Sequence, residues 1–389
     1  MPRSRDPEAS ETDRRHMHRA LVLARRGWAR TAPNPIVGAV LVRSGKVIGE
    51  GWHRKAGQPH AEIEAFADAE RRGARIRGAT LYVTLEPCCT HGRTPPCTEA
   101  ILKHGVRRVV VGATDPNPRH AGRGLDILRN AGVFVVAGVG AERSAALNEA
   151  FNHWIVTGRP WVTLKAAMTL DGKIATASGE SQWITGERAR AEGMRLRGES
   201  DGVLVGVNTV LADDPSLTVR GTWAVRRGDR PFRRIILDSK ARTPLSAQLV
   251  REGTVESTWI VVTAAAAVGR RRALERRVRV IESPTVSEGR IDLAWLMDCL
   301  GREGVTRLLV EGGGEVHGAF RDAGLAHRIA FFFAPKILGG ANARKGVGGT
   351  GAASWEEVSR LEEVRWRRLG SDLMLSARIV GLGKSSDLP

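Results

Sequence analysis

The sequence predicts an α/β protein of two domains, on three observations. Helical and strand periodicities alternate along both halves of the chain, 389 residues is long for one core at about 150 residues per domain, and Thr157-Gly158-Arg159-Pro160 interrupts the pattern between the halves. A polar tail over 1–12, a first domain over 13–156 and a second over 157–389 are expected. With 42% hydrophobic and 26% charged residues, the composition excludes disordered and collagen-like chains. No stretch approaches the about 18 consecutive apolar residues of a membrane span. The opening MPRSRDPEASETDRRH holds no apolar run that could serve as a signal, so the expectation is a cytoplasmic protein with no membrane partner.

In the first domain, Met17, Ala20, Leu21 and Ala24 follow helical spacing, and TAPNP at 31–35 ends that helix. Strands are expected over 36–42 and 46–52, joined at Ser44-Gly45. His60-Ala61-Glu62 opens a helix running to about 72. A strand over 81–85, a helix over 98–104, a strand over 106–112, a helix over 124–131 and a strand over 133–136 complete the series. In the second domain the expected strands are 161–165, 202–207, 234–237, 259–262, 278–281, 307–310 and 330–337. Helices are expected around 294–303 and 316–322.

Sixty Lys plus Arg against 42 Asp plus Glu give a formal charge of +18. The excess divides evenly, +9 over 1–150 and +9 over 151–389, and no block of five or six like charges occurs. Of the basic residues 51 are Arg and 9 are Lys, a compositional bias rather than a footprint. No specific nucleic-acid partner is expected.

Three of the four cysteines, Cys88, Cys89 and Cys97, fall within ten residues, which in a chain of this kind points to metal or catalysis rather than a disulfide framework. Catalytic zinc takes three protein ligands and keeps a fourth position for water, and His60, Cys88 and Cys97 supply such a set. Glu62, two residues after the His, can carry a proton from that water to a leaving amine. This is the His-x-Glu…Pro-Cys…Cys logic of zinc deaminases, with the two cysteines nine apart rather than three. Cys89 and His91 are competing ligands by chemistry; Cys89 ranks below Cys88 because neighbours in an extended segment point oppositely. A nucleic-acid-editing zinc deaminase with an accessory domain is the alternative the charge suggests, and the cysteine spacing and the second α/β domain argue against it.

The second domain carries Glu311-Gly312-Gly313-Gly314 between a strand and a helix, where consecutive glycines let backbone N–H groups approach a phosphate. It lacks the G-x-G-x-x-G spacing of a Rossmann fingerprint. A second stretch, GVNTVLADDP at 206–215, also follows a strand, with Arg197 and Arg220 beside it as candidate phosphate clamps.

TLEPCCTHGRTPPC at 84–97, with PNPIVGAV at 33–40 and DPNP at 115–118, resembles the deaminase half of the bifunctional riboflavin-biosynthesis family. KAAMTLDGKIATASGESQWITG at 165–186, LRGESDGVLVGVNTVLADDPSLTVR at 196–220 and VEGGG at 310–314 resemble its reductase half. The resemblance covers nearly the whole chain. It implies a cytidine-deaminase-like α/β/α domain followed by a dihydrofolate-reductase-like α/β domain. It implies zinc on His60, Cys88 and Cys97, Glu62 as proton shuttle, and Asn34 and Arg93 around the pyrimidine. In the second domain it implies that Ala167, Trp183, Thr209, Asp213, Ser239, Gly313 and Gly314 contact NADPH. Ser181, Arg197, Leu217, Arg220 and Glu311 would hold the ribosyl-phosphate substrate. The chain departs from the family pattern at Thr90, two positions after Cys88, where His is common and where His91 stands beside it. Zinc and NADPH are thus the expected cofactors, pyrimidine ribosyl phosphates the expected substrates, and a homo-oligomer the expected assembly.

Overall fold

The computed structural model describes residues 9–91 and 95–380, and the chain divides into two compact units, 1–158 and 159–389. The first unit begins with α1 (Glu11–Ala24), β1 (Gly38–Arg43), β2 (Lys46–Trp52), α2 (Ala61–Arg71) and β3 (Thr80–Leu85). It continues with α3 (Cys97–Lys103), β4 (Arg108–Ala113), α4 (Arg123–Asn130), β5 (Phe134–Val136), α5 (Ala141–Leu147) and α6 (Glu149–Thr157). The strands form one sheet in the order β2-β1-β3-β4-β5, antiparallel at β2-β1-β3 and parallel at β3-β4-β5.

Strand alternation divides this sheet's side chains between two layers. Leu81, Val83, Val109 and Val111 pack with Ala61, Ala65, Phe66, Ile101, Leu125 and Leu128 from α2, α3 and α4. Tyr82 and Val110, the residues between, pack with Met17, Ala20, Leu21 and Ala24 of α1 and Leu147 of α5. The result is the three-layer α/β/α arrangement the sequence predicts. The second helix lies against bare backbone: a Cβ at Gly51 would sit 2.2 Å from the Ala61 carbonyl oxygen, so no side chain fits beneath the turn that carries His60 and Glu62.

Helix α1 starts two residues before the expected boundary, because Ser10 and Asp13 form a capping box. The part of the predicted tail at 1–8 lies outside the described residues. Asp13 is almost fully buried and takes Arg108 Nη1 at 2.6 Å, Arg108 Nη2 at 2.9 Å and the Tyr82 hydroxyl at 3.0 Å, fastening the helix across β3 and β4.

The second unit contains β6 (Trp161–Thr169), β7 (Lys173–Ala175), α7 (Glu187–Glu199), β8 (Gly202–Gly206), α8 (Val207–Asp213) and α9 (Thr222–Arg227). Next come β9 (Arg233–Leu237), α10 (Gln248–Arg251), β10 (Thr258–Val262), α11 (Val268–Glu275), β11 (Arg279–Glu282), β12 (Thr285–Val286) and β13 (Arg290–Ile291). The chain then forms α12 (Leu293–Arg302), β14 (Arg307–Val310), α13 (Gly314–Asp322), β15 (Arg328–Ala334), β16 (Arg344–Lys345), β17 (Arg360–Leu369) and β18 (Asp372–Val380). Nine strands form one sheet, β11-β10-β9-β8-β14-β6-β15-β18-β17, parallel from β11 to β15 and antiparallel in the last two pairs.

Both faces of this sheet are covered, as a mostly parallel sheet requires. Val162, Leu164, Leu204, Leu308 and Val310 pack against Leu296, Met297 and Leu300 of α12 and Phe320 of α13. Val203, Val205, Ile236 and Ile260 face Val210, Leu249 and Leu274 on the other side, and Ala330 and Phe332 meet Ala189 of α7. The strand expected over 330–337 ends at Ala334 because Pro335 follows it.

Candidate active site

The N-cap of α2 is His60, extended at φ −72° and ψ 165°, so its imidazole leaves the helix axis just as the chain turns into it. Cys88 follows β3, and Cys97 is the first residue of α3. These three elements bring His60 Nδ1 to 3.5 Å from Cys88 Sγ and 3.3 Å from Cys97 Sγ. All three ligand atoms lie within 4.8 Å of one another. Tetrahedral zinc with usual bond lengths separates its nitrogen and sulfur ligands by about 3.6 Å, so the donor set and its spacing fit the metal. Among the described residues this is the one such cluster.

The electrostatics of the cluster point the same way. Hydrogen bonding to Cys97 holds the Cys88 thiol down at about 4, helped by His60 and by the Cys97 N–H, which donates to Cys88 Sγ at 3.3 Å. The same bond to Cys88, with burial, pushes Cys97 well above its usual value. Glu62 sits beside them, 3% exposed; burial, with the charge on Cys88, pushes its carboxyl up to about 7. A buried carboxyl near neutrality both takes and gives a proton.

Asn34 donates from Nδ2 toward His53 Nε2 at 3.1 Å, and the His53 ring stands edge-on to His60 with centroids 5.4 Å apart. Burial holds His53 below its usual value. Sequence reading missed His53, a lone His at a strand end with no partner at a telling spacing. It also missed Glu86, whose carboxylate accepts the N–H groups of Asp115, Gly122 and Gly124 at 2.9–3.0 Å and fixes the 115–124 loop. Of the competing ligands, Cys89 Sγ turns away to His120 Nδ1 at 3.4 Å, and His91 is exposed near Glu99. Thr90 is exposed as well. Arg93 lies outside the described residues.

In the second unit, five of the sequence-predicted residues lie at or just beyond the carboxyl ends of the parallel strands, where open α/β sheets take their ligands. Ala167 is near the end of β6, Thr209 follows β8, Ser239 follows β9, and Gly313 and Gly314 follow β14. Gly313, the N-cap of α13, has φ −67°, and a Cβ built on it meets nothing within 4 Å. Neither its conformation nor its packing demands glycine, and the open space above a helix N-terminus fits a phosphate of a dinucleotide. Ser181 Oγ donates to Asp213 Oδ1 at 3.0 Å, tying the segment after β7 to α8. Trp183 is 66% exposed, with the Arg190 guanidinium 4.7 Å from its ring centroid.

Arg197 differs from the free clamp its position in the sequence suggests. Its Nε and Nη2 fork the Glu311 carboxylate at 2.9 Å each, and Nη1 donates to the Thr218 carbonyl at 2.9 Å. Lys165 Nζ lies 3.5 Å from the same carboxylate. Burial raises the Glu311 pKa, but Arg197 and Lys165 outweigh it and hold the group at about 2. Lys165 was not singled out from sequence, since its partner stands 146 positions away. Leu217 is buried with φ +51°, and Arg220 is exposed.

Two family descriptions match the chain: "Cytidine and deoxycytidylate deaminase zinc-binding region" over residues 10–113 and "RibD C-terminal domain" over 160–375. The riboflavin biosynthesis protein RibD of Actinobacillus pleuropneumoniae is 41% identical over 371 residues, 95% of this chain and 96% of that one. Among solved structures, Acinetobacter baumannii RibD matches with a TM-score of 0.83 at 37% identity, covering 95% of this chain and 99% of that one. The diaminohydroxyphosphoribosylaminopyrimidine deaminase/5-amino-6-(5-phosphoribosylamino)uracil reductase of Thermotoga maritima matches with a TM-score of 0.79 at 35% identity and the same coverage. Identity at this level over nearly the whole chain, with a zinc-binding deaminase match on one unit and a reductase match on the other, means that the chain belongs to the RibD family of bifunctional deaminase–reductases of riboflavin biosynthesis.

Proposed function

We propose that the first domain, 13–156, deaminates 2,5-diamino-6-ribosylamino-4(3H)-pyrimidinone 5′-phosphate, and that the second, 157–389, reduces the ribosylamino group of the product to ribitylamino. The observation that carries this reading is the three-ligand cluster of His60, Cys88 and Cys97 with a buried carboxyl, Glu62, beside it. Zinc held there supplies a Lewis acid that activates water at neutral pH, and NADPH supplies the hydride in the second domain.

Glu62 takes a proton from the attacking water and returns it to the departing amine, so water enters and ammonia leaves. Asn34, oriented by His53, and Arg93 hold the pyrimidine. In the second domain Ala167, Trp183, Thr209, Asp213, Ser239, Gly313 and Gly314 bind NADPH. Ser181, Leu217, Arg220 and Glu311 hold the ribosyl phosphate. Arg197 holds it with them and, through its fork on Glu311, also keeps that carboxylate ionised and aimed. The enzyme is read as a cytoplasmic homo-oligomer without a specific nucleic-acid or membrane partner; among the described residues no helix is long and apolar enough to cross a membrane.

Incubation with the diamino substrate, with and without NADPH, tests the proposal. Ammonia is expected in both cases and loss of NADPH absorbance only after deamination. NADPH oxidation without ammonia release contradicts the order of the two steps.

A further inference from the structure

The site residues of the second unit account for the carboxyl ends of its parallel strands, and the amino ends hold a place of another kind. Segment 227–232 leads into β9 there, Ser200 and Asp201 lead into β8, and Ser257 leads into β10. These entries and the 218–219 stretch surround a cavity of about 360 Å³, whose walls include Thr218, Ala224, Arg227, Arg230, Arg234 and Ser257. None of the catalytic, cofactor or substrate residues named above lines it.

Three arginines share these walls, and burial makes a cation there costly. Arg227 is 5% exposed and Arg234 4%. Arg227 Nη1 donates to the carbonyls of Ser200 and, at 2.9 Å, of Gly198, and its Nη2 donates to the Pro231 carbonyl at 2.8 Å. Arg234 Nη1 donates to the Ser216 carbonyl at 3.1 Å, and its Nη2 to the Glu252 carbonyl at 3.3 Å and Ser257 Oγ at 3.2 Å. These partners are all neutral. Neither guanidinium pairs with a carboxylate among the described residues, and Nε of each makes no hydrogen bond there. Burial alone lowers the Arg227 pKa to about 10, and burial lowers that of Arg234 against the pull of Glu252, which is exposed. Arg230 differs in being paired with Asp201.

A carbonyl dipole satisfies an N–H group without neutralising the cation behind it, so two buried charges wall this space with no counter-charge between them. A purely structural role for the arginines explains their carbonyl bonds. It does not explain why they border a void instead of packed side chains. A lone phosphate would leave most of the volume empty, so the cavity suits a phosphate group carrying a sugar-sized body.

The same walls support the substrate residues. Arg227 grips Gly198 and Ser200 at the end of α7, the helix that carries Arg197. Arg234 grips Ser216, two residues before Thr218, whose carbonyl accepts Arg197 Nη1 at 2.9 Å.

We propose that this cavity is a second anion site of the second unit, taking a small phosphate monoester on Arg227 and Arg234 at the sheet edge opposite the chemistry, and that its occupant steadies the frame around Arg197. The site goes beyond the two activities and does not depend on them.

Crystals of the full chain grown with sodium tungstate, a heavy tetrahedral stand-in for a phosphate group, test it by position. Anomalous density is expected between Arg227 and Arg234. In solution, ribose 5-phosphate at ten times its Kd should raise the unfolding temperature of the full chain by about 3–5 °C, and ribose should not. Ala224→Glu puts a carboxylate at the cavity from an exposed position of α9 and removes no arginine bond. It should abolish the tungstate density and shrink the temperature rise, as should Arg234→Gln. Should Arg234→Gln not fold, Ala224→Glu decides alone. Tungstate found at Arg220 but absent from the cavity, or a temperature rise of equal size in Ala224→Glu, overturns the proposal and leaves the reading of the substrate site standing.

Discussion

At the residue scale, Glu62 and its three neighbours do separable jobs, and substitution should separate them. Glu62→Gln keeps the shape and all three metal ligands, so zinc measured by atomic absorption should stay near one per chain while ammonia release falls about 10²- to 10⁴-fold, the range for a lost general acid–base group. Cys97→Ser removes a ligand from a buried position, and the zinc itself should go. Retained zinc in Cys97→Ser would contradict the ligand set. This part of the site was legible because its residues lie close in sequence and each motif names its chemistry. Glu311 with Arg197 was not: both were singled out for substrate, but their pairing spans 114 positions and leaves no spacing to read.

At the scale of elements, α1 is held by one buried carboxylate, and this makes the first unit sensitive to acid. The Arg108 guanidinium holds Asp13 well below the usual carboxylate range, with Ser10 and Tyr82 helping against burial. A depressed pKa contributes stability that is fully present above the unfolded value near 4 and is lost as pH falls below it. Asp13→Asn should therefore cost about 2–3 kcal/mol in urea unfolding at pH 7, with Arg108 left partly buried and unpaired. The difference from wild type should shrink at pH 3; an equal difference at both pH values would rule out the ionised pair as its source. The strands that carry the sheet cores were readable because each is apolar and short. Helix α7 escaped notice because its buried positions include Glu192, Gly193 and Gly198, which leave no apolar stripe. The β17–β18 hairpin escaped because RLEEVRWRRL is charged, mostly exposed, and shifted in register between Glu362 and Arg365.

At the scale of the whole molecule, each unit has its own sheet, its own cores and its own group of site residues. Division of the chain between 158 and 159 should give a C-terminal piece that reduces the deaminated substrate with NADPH and is indifferent to zinc chelation. Helix α6 ends at that point on Gly158 in the left-handed region, a natural place for the chain to stop. The charge of +18, spread evenly, should give nucleic-acid binding that is weak and falls steeply with salt. Tight sequence-specific binding at physiological salt would revive the editing alternative. The two-domain order was legible because a Gly/Pro break separates two motif sets, whereas the arginine-walled cavity was not, since the burial of Arg227 and Arg234 is a fact of three dimensions.

The central claim is that one chain carries two independent chemistries, and Glu62→Gln in the full-length protein tests it most directly. Given the diamino substrate and NADPH, this variant should release almost no ammonia and consume almost no NADPH. Given the already deaminated substrate, it should consume NADPH at the wild-type rate. Ammonia release near the wild-type rate, or loss of NADPH consumption on the deaminated substrate, would contradict the account.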